Sequence, residues 1–165
     1  MAKTNDNLKE AFAGESQANR KYLAFAKQAE KEGYPAAARL FRAAAEAETV
    51  HAHAHLRAMA GIGNTARNLQ EAIAGETHEF VSMYPAMIEA ARQEGEKQAE
   101  RSFTYANEVE KVHAALYKKA LDELEQRLEA QPYYVCSVCG YTAEGEAPDK
   151  CPVCGSAKKA FFQVE

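Results

Sequence analysis

Residues 48–51 read Glu48-Thr49-Val50-His51, and residues 110–113 read Glu110-Lys111-Val112-His113. In a helix, positions i and i+3 lie about 300° apart, on one face and one turn along, so a Glu and a His at this spacing can grip one ion together. One such Glu-x-x-His on a Glu-rich helix is more often a solvated face. Here, however, both copies belong to a wider repeat. Arg39, Phe41, Ala44, Glu46, Glu48, Val50 and His51 recur as Arg101, Phe103, Ala106, Glu108, Glu110, Val112 and His113, offset by 62. Upstream, Ala11-Phe12-Ala13-Gly14-Glu15 recurs as Ala72-Ile73-Ala74-Gly75-Glu76, offset by 61. The chain therefore holds two copies of a helix pair, each with one Glu on its first helix and Glu-x-x-His on its second. Four carboxylates and two imidazoles are the donor set of two-metal sites inside helix bundles, and they suit iron or manganese.

The surrounding composition agrees with helices. From Asn7 to Ala130 the chain is rich in Ala, Glu, Lys, Arg, Gln and Leu, all strong helix formers. Breaks at Gly33-Tyr34-Pro35, Gly61-Ile62-Gly63-Asn64 and Gly95 divide it into helices at roughly 7–32, 35–60, 66–94 and 96–130. Pro85 should kink or interrupt the third. The expected fold is an all-α four-helix bundle over 1–130, followed by a small β/loop module over 131–165. That module is too short to bury a core of its own and needs a metal staple. The net charge is −4 with no basic stripe, which argues against nucleic acid. No apolar run is long enough for a membrane span and the first residues lack an apolar signal core, so a cytoplasmic protein is expected.

The repeat is informative where it fails. Ala18, three residues after Glu15, corresponds to Glu79, three residues after Glu76, so one half carries a fifth carboxylate on the same side. Five glutamates supply −5 against +4 for two ferrous ions, or against +4 for two ferric ions with an oxide bridge. Glu79 is thus either a spare ligand, favoured by the harder ferric ion, or another surface Glu. Tyr22 and Tyr84 match at offset 62 whereas Glu15 and Glu76 match at 61, so one extra residue lies between Glu76 and Tyr84. This predicts a π-bulge there. Each Tyr lies about two turns from its Glu, where a hydroxyl could support a ligand carboxylate or a ring could fill the core. His53 and His78 point elsewhere, His55 falls about one turn beyond His51 at the edge of the site or on a partly exposed face, and none of the three is assigned to a metal.

All four cysteines fall in two Cys-x-x-Cys pairs, Cys136/Cys139 and Cys151/Cys154. Four thiolates in this pattern hold zinc or iron tetrahedrally, and spacing alone leaves both open. The local sequences Cys139-Gly140-Tyr141 and Cys151-Pro152-Val153-Cys154-Gly155 resemble rubredoxin knuckles, which favours one iron that cycles between ferrous and ferric.

Taken together, Ala-Gly-Glu15-Ser-Gln-Ala-Asn, Glu48-x-x-His51, Gly75-Glu76-x-x-Glu79, Met83-Tyr84-Pro85, Glu110-x-x-His113 and the four cysteines resemble the rubrerythrins over essentially the whole length. The resemblance implies a ferritin-like di-iron domain followed by a rubredoxin-like iron domain. It implies reduction of hydrogen peroxide to water at the iron pair, with electrons relayed from an external donor (rubredoxin or a reductase) through the thiolate-held iron. It also implies that one iron exchanges His51 for Glu79 with redox state. A head-to-tail homodimer is implied too, in which the rubredoxin iron of one subunit feeds the di-iron site of the other, with helices exchanged between subunits in some members. The module departs from free-standing rubredoxins in having no Trp, so Tyr133, Tyr134, Tyr141, Phe161 and Phe162 must fill its core. Three other readings fit the residues: a ferroxidase handling iron, which would leave the cysteines unexplained; an O₂-activating oxygenase or oxidase; and a metal-binding scaffold with a zinc ribbon.

Overall fold

The structure, a computed structural model, describes residues 2–126 and 129–164. Helices α1 (Ala2–Lys31), α2 (Pro35–Ala58), α3 (Thr65–His78), α4 (Tyr84–Glu94) and α5 (Lys97–Asp122) are followed by strands β1 (Tyr133–Cys136), β2 (Thr142–Glu144) and β3 (Phe161–Val164). Between α3 and α4 the chain makes a π-helical turn, Glu79–Met83. No helix among the described residues is long and apolar enough to cross a membrane. The chain divides into two compact units, Met1–Gly63 and Asn64–Glu165.

The first unit is a hairpin of α1 and α2. Its seam is built of small residues: Ala38, Ala45 and Ala52 are buried at intervals of seven along α2, with Ala26 and Ala29 buried on α1. A seven-residue repeat keeps one face turned to the partner helix, and alanine lets the two backbones approach closely. Asn19 crosses the seam, its amide donating to the Ala45 carbonyl (2.7 Å) and to Thr49 Oγ1 (2.9 Å). Tyr22, Phe25 and Phe41 cluster beside it. Gly33 takes φ +81° to end α1, and Pro35 opens α2, where its missing N–H costs nothing.

In the second unit, α3, the π turn and α4 run against α5. Asn64 caps α3, its Oδ1 accepting from the Arg67 N–H at 2.9 Å. Gly95, in the left-handed conformation, ends α4. Pro85 stands in the first turn of α4, just past the π turn, so it interrupts the third helix as its chemistry requires. After α5 the strands form an antiparallel sheet of order β2-β1-β3, pairing Tyr134 with Ala143 and Gln163. Tyr141 and Phe161 meet edge to face in its small core.

Two helix limits differ from the sequence expectation. The first helix begins at Ala2 rather than near residue 7, because nothing in Lys3-Thr4-Asn5-Asp6 breaks it. The last ends at Asp122 rather than 130: a 3₁₀ turn over Leu124–Gln126 tightens the chain, and Pro132 then holds Gln131 out of helical conformation before β1. Residues 127 and 128, which the expected helix included, lie outside the described residues.

Candidate metal centres

Each helix pair gathers its own half of the expected donor set. On the first, donor atoms of Glu15, Glu48 and His51 lie within 4.8 Å of one another, with His51 Nδ1 2.9 Å from Glu48 Oε2. On the second, Glu76, Glu110 and His113 do the same, with His113 Nδ1 2.7 Å from Glu110 Oε2 and 3.8 Å from Glu76 Oε1. The i, i+3 spacing on α2 and α5 produces the Glu–His contact, and the neighbouring helix supplies the remaining Glu. The correspondence extends outward: the ring centroids of Tyr22 and Phe41 are 6.3 Å apart, as are those of Tyr84 and Phe103.

The second group is short of positive charge. Burial, then the charge of Glu110 and a hydrogen bond shared with it, raise the Glu76 carboxyl above its ordinary value, with His113 opposing. A cation between these oxygens would relieve that excess, so the donor set fits a metal in charge as well as in type. Burial, then the charges of Glu79, Glu110 and Glu76, likewise raise the Tyr84 phenol above its ordinary value.

Glu79 opens the π turn and lies outside the Glu76–Glu110–His113 group. The turn sits between Glu76 and Tyr84, where the unequal offsets place an extra residue: Tyr84 N–H bonds to the carbonyl of Glu79, five residues back. His53, His55 and His78 join no donor group among the described residues.

The cysteines converge as free thiols, with Cys136 Sγ 3.7 Å from Cys154 Sγ and Cys139 Sγ 3.5 Å from Cys151 Sγ. Four sulfurs each about 2.3 Å from one ion would lie about 3.8 Å apart along the tetrahedron's edges, so the set fits a metal with little movement. Two like turns build it. Gly140 N–H donates to the Cys136 carbonyl at 2.8 Å and Gly155 N–H to the Cys151 carbonyl at 2.9 Å, both glycines at positive φ. Burial pushes the Cys139 thiol up.

Sequence reasoning missed Thr142. At the start of β2, its hydroxyl lies 2.9 Å from His113 Nε2 and donates to the Gly140 carbonyl at 3.2 Å. The cysteine module thus packs on α5 of its own chain. Lys119 Nζ to Glu144 Oε2 at 2.6 Å adds a second tie, and buried Val109 faces Gly140. No local pattern marks a lone Thr whose partner is 29 residues away.

A family model described as rubrerythrin matches residues 6–121, and one described as the rubredoxin-like domain of rubrerythrin matches residues 134–162. Rubrerythrin-2 of Clostridium acetobutylicum is 40% identical, over 97% of this chain and 96% of its own. Nigerythrin of Nitratidesulfovibrio vulgaris is 36% identical, over 98% of this chain and 86% of its own. The solved structure of fully reduced, all-ferrous nigerythrin matches with a TM-score of 0.60 at 36% identity, covering 98% of this chain and 86% of that one. With the Glu/His and four-cysteine donor sets in place, the chain belongs to the rubrerythrin family, combining a ferritin-like di-iron fold with a rubredoxin-like four-cysteine iron module.

Proposed function

We propose that this chain is a non-haem di-iron peroxidase that reduces hydrogen peroxide, with two electrons and two protons, to two molecules of water. One observation carries the reading: two repeat-related carboxylate–imidazole groups share the chain with a free four-thiol group. The first suits a two-electron acceptor and the second a one-electron feeder, a combination that neither iron storage nor a zinc scaffold calls for. When bound, the iron pair supplies the two electrons and the Lewis acidity for O–O cleavage.

The protein's part is to hold, orient and protonate. Glu15, Glu48, His51, Glu76, Glu110 and His113 are the residues for the iron pair, within a bundle domain spanning 1–130. Glu79, held by the π turn, is the further carboxylate available to the more highly charged ferric pair. The Tyr84 hydroxyl, kept protonated by burial and the nearby carboxylates, is the group placed to support them, and Tyr22 is its counterpart on the first helix pair. Cys136, Cys139, Cys151 and Cys154 would hold the third iron within 131–165, where it would supply one-electron chemistry, with rubredoxin or a reductase as the external donor. The setting is oxidative-stress defence in the cytoplasm, as a homodimer.

The test follows visible absorption under anaerobic conditions. The reduced protein, freed of excess reductant, receives hydrogen peroxide in one sample and O₂ in another. Ferric-thiolate colour returning fast with peroxide and slowly with O₂ is the expected result. A protein that stays colourless throughout would place zinc on the cysteines and overturn the relay.

A further inference from the structure

The four thiols are not equally reachable. Cys136 and Cys151 are 1% and 2% exposed, while Cys139 and Cys154 are partly open. Beside Cys139 lies a groove of about 520 Å³, walled on one side by Gln98, Arg101, Ser102 and Tyr105 of α5 and on the other by Val138. Val138, between the cysteines of the first knuckle, is 56% exposed and presents an apolar knob to the groove.

The charge around this groove runs against that of the chain. The net charge is −4, yet Arg101 lines the groove and no acidic side chain does. Lys97 stands one turn before Arg101 on the same face. It opens a 26-residue helix whose N-terminal end adds partial positive charge. On the module side, the Ser137 N–H donates to the Ala160 carbonyl at 2.9 Å, which brings exposed Lys159 beside the knuckle. Lys97, Arg101 and Lys159 make no ion pair among the described residues. The acids that flank Arg101 within α5 are answered, Glu100 by Arg92 and Glu108 by Lys111, and Glu96, just before the helix, is not part of the lining. An open thiol edge, an apolar knob and a rim of unpaired cations are the parts of a transient docking site for a negatively charged protein.

We propose that the groove beside Cys139 is the surface through which the thiolate-held iron is reduced, and that its occupant is a small one-electron carrier protein with an acidic face. This rests on the reading of the cysteine module as the entry for external electrons. Val138 packs against the carrier, and Arg101 and Lys97 draw in its carboxylates. One electron passes from the carrier's reduced centre, which is oxidised, to the ferric ion held by the thiolates, which becomes ferrous. No covalent bond forms or breaks. Steering of this kind acts on the association rate and fades with salt.

Two measurements test this. In the zinc-substituted chain labelled with ¹⁵N, the paramagnetic anion hexacyanochromate(III) should broaden the amide signals of Ser102, Tyr105 and Val138. The cation hexaamminechromium(III) should leave them sharp, and Arg101→Glu should abolish the broadening. In the iron-loaded chain, stopped-flow bleaching of the ferric-thiolate colour follows reduction by a reduced rubredoxin of negative net charge and, separately, by the cation hexaammineruthenium(II). At low salt, Arg101→Glu should slow the rubredoxin reaction about tenfold, flatten its dependence on ionic strength, and speed the ruthenium reaction. Lys97→Glu should act in the same directions. Opposite changes with the two donors are something a damaged fold would not give.

Both donors slowing together, or neither responding, overturns the proposal. So does a rubredoxin reaction indifferent to Arg101→Glu while the chromium anion still binds, which makes the groove an anion site only. A second copy of the chain seated on the groove would keep the parent's signals sharp and overturns it too. A parent reduced normally by rubredoxin but not reoxidised by peroxide defeats the peroxidase reading and leaves the entry surface standing.

Discussion

Deleting Ser82 separates two accounts of the π turn. The residue is exposed and lies inside Glu79–Met83, so its removal costs no packing. Deletion shortens the Glu76-to-Tyr84 interval from eight residues to seven, the interval between Glu15 and Tyr22 on α1, where the helix is regular. The two hairpins already match on both sides of the turn, in the Glu–His groups and in the 6.3 Å ring pairs. The extra residue is therefore absorbed where it occurs, and the shortened chain should keep Glu76 and Tyr84 in place, with the break in the helix confined to Pro85. If instead the residue set the register of α3, removing it would rotate Glu76 by about 100° and shift it about 1.5 Å along the axis. On a circle of radius about 2.3 Å, that carries its Cα roughly 3.5 Å sideways and its longer carboxylate further still. The Glu76–Glu110–His113 group, now within 4.8 Å, would not survive. The expected outcome is an unchanged iron count per chain and no rise in melting temperature, because Pro85 still leaves the ladder without its hydrogen bond. Peroxide turnover should fall, because Glu79 loses the turn that holds it. Loss of the iron pair, read by metal analysis beside an intact ferric-thiolate spectrum, would refute the reasoning.

Other perturbations address the remaining parts. Glu79→Ala should slow turnover several-fold while the iron count holds; unchanged peroxidase kinetics would make the fifth carboxylate a bystander. Cys154→Ser should remove the ferric-thiolate colour and leave a protein that peroxide oxidises once but an external reductase cannot reload. Val109→Ala removes two methyl groups from a side chain only 2% exposed, against the Gly140 knuckle, and should cost about 2 kcal/mol in denaturant unfolding.

What could be read ahead of the structure was whatever duplication and helical period encode. Glu48 and His51, Glu110 and His113, and their partners Glu15 and Glu76 were visible because a helix turns i, i+3 spacing into proximity. The π turn was visible because two copies of one segment differed in length by a residue. The end of α5 was not, since Leu124, Glu125, Gln126, Leu128 and Ala130 continue a helix-forming composition that the turn toward β1 overrides. Thr142 was hidden for another reason: its partner is set by how the sheet packs on α5, and such a contact leaves no period in the chain. The α1–α2 seam lay between these cases, its alanines reading as ordinary helix formers until Ala38, Ala45 and Ala52 proved to be the buried ones.

The near-tetrahedral spacing of the four sulfurs bears on supply as much as on chemistry. Edges of 3.5 and 3.7 Å suit zinc as well as iron, and zinc stands above ferrous iron in the general order of affinity. A chain filled with zinc would fold, dock on α5 and bond His113 just as the iron form does, and yet carry no electron. Under the proposed relay, the working fraction of a population depends on which ion fills the thiolates, and an organism short of iron would accumulate well-folded copies that pass no electron.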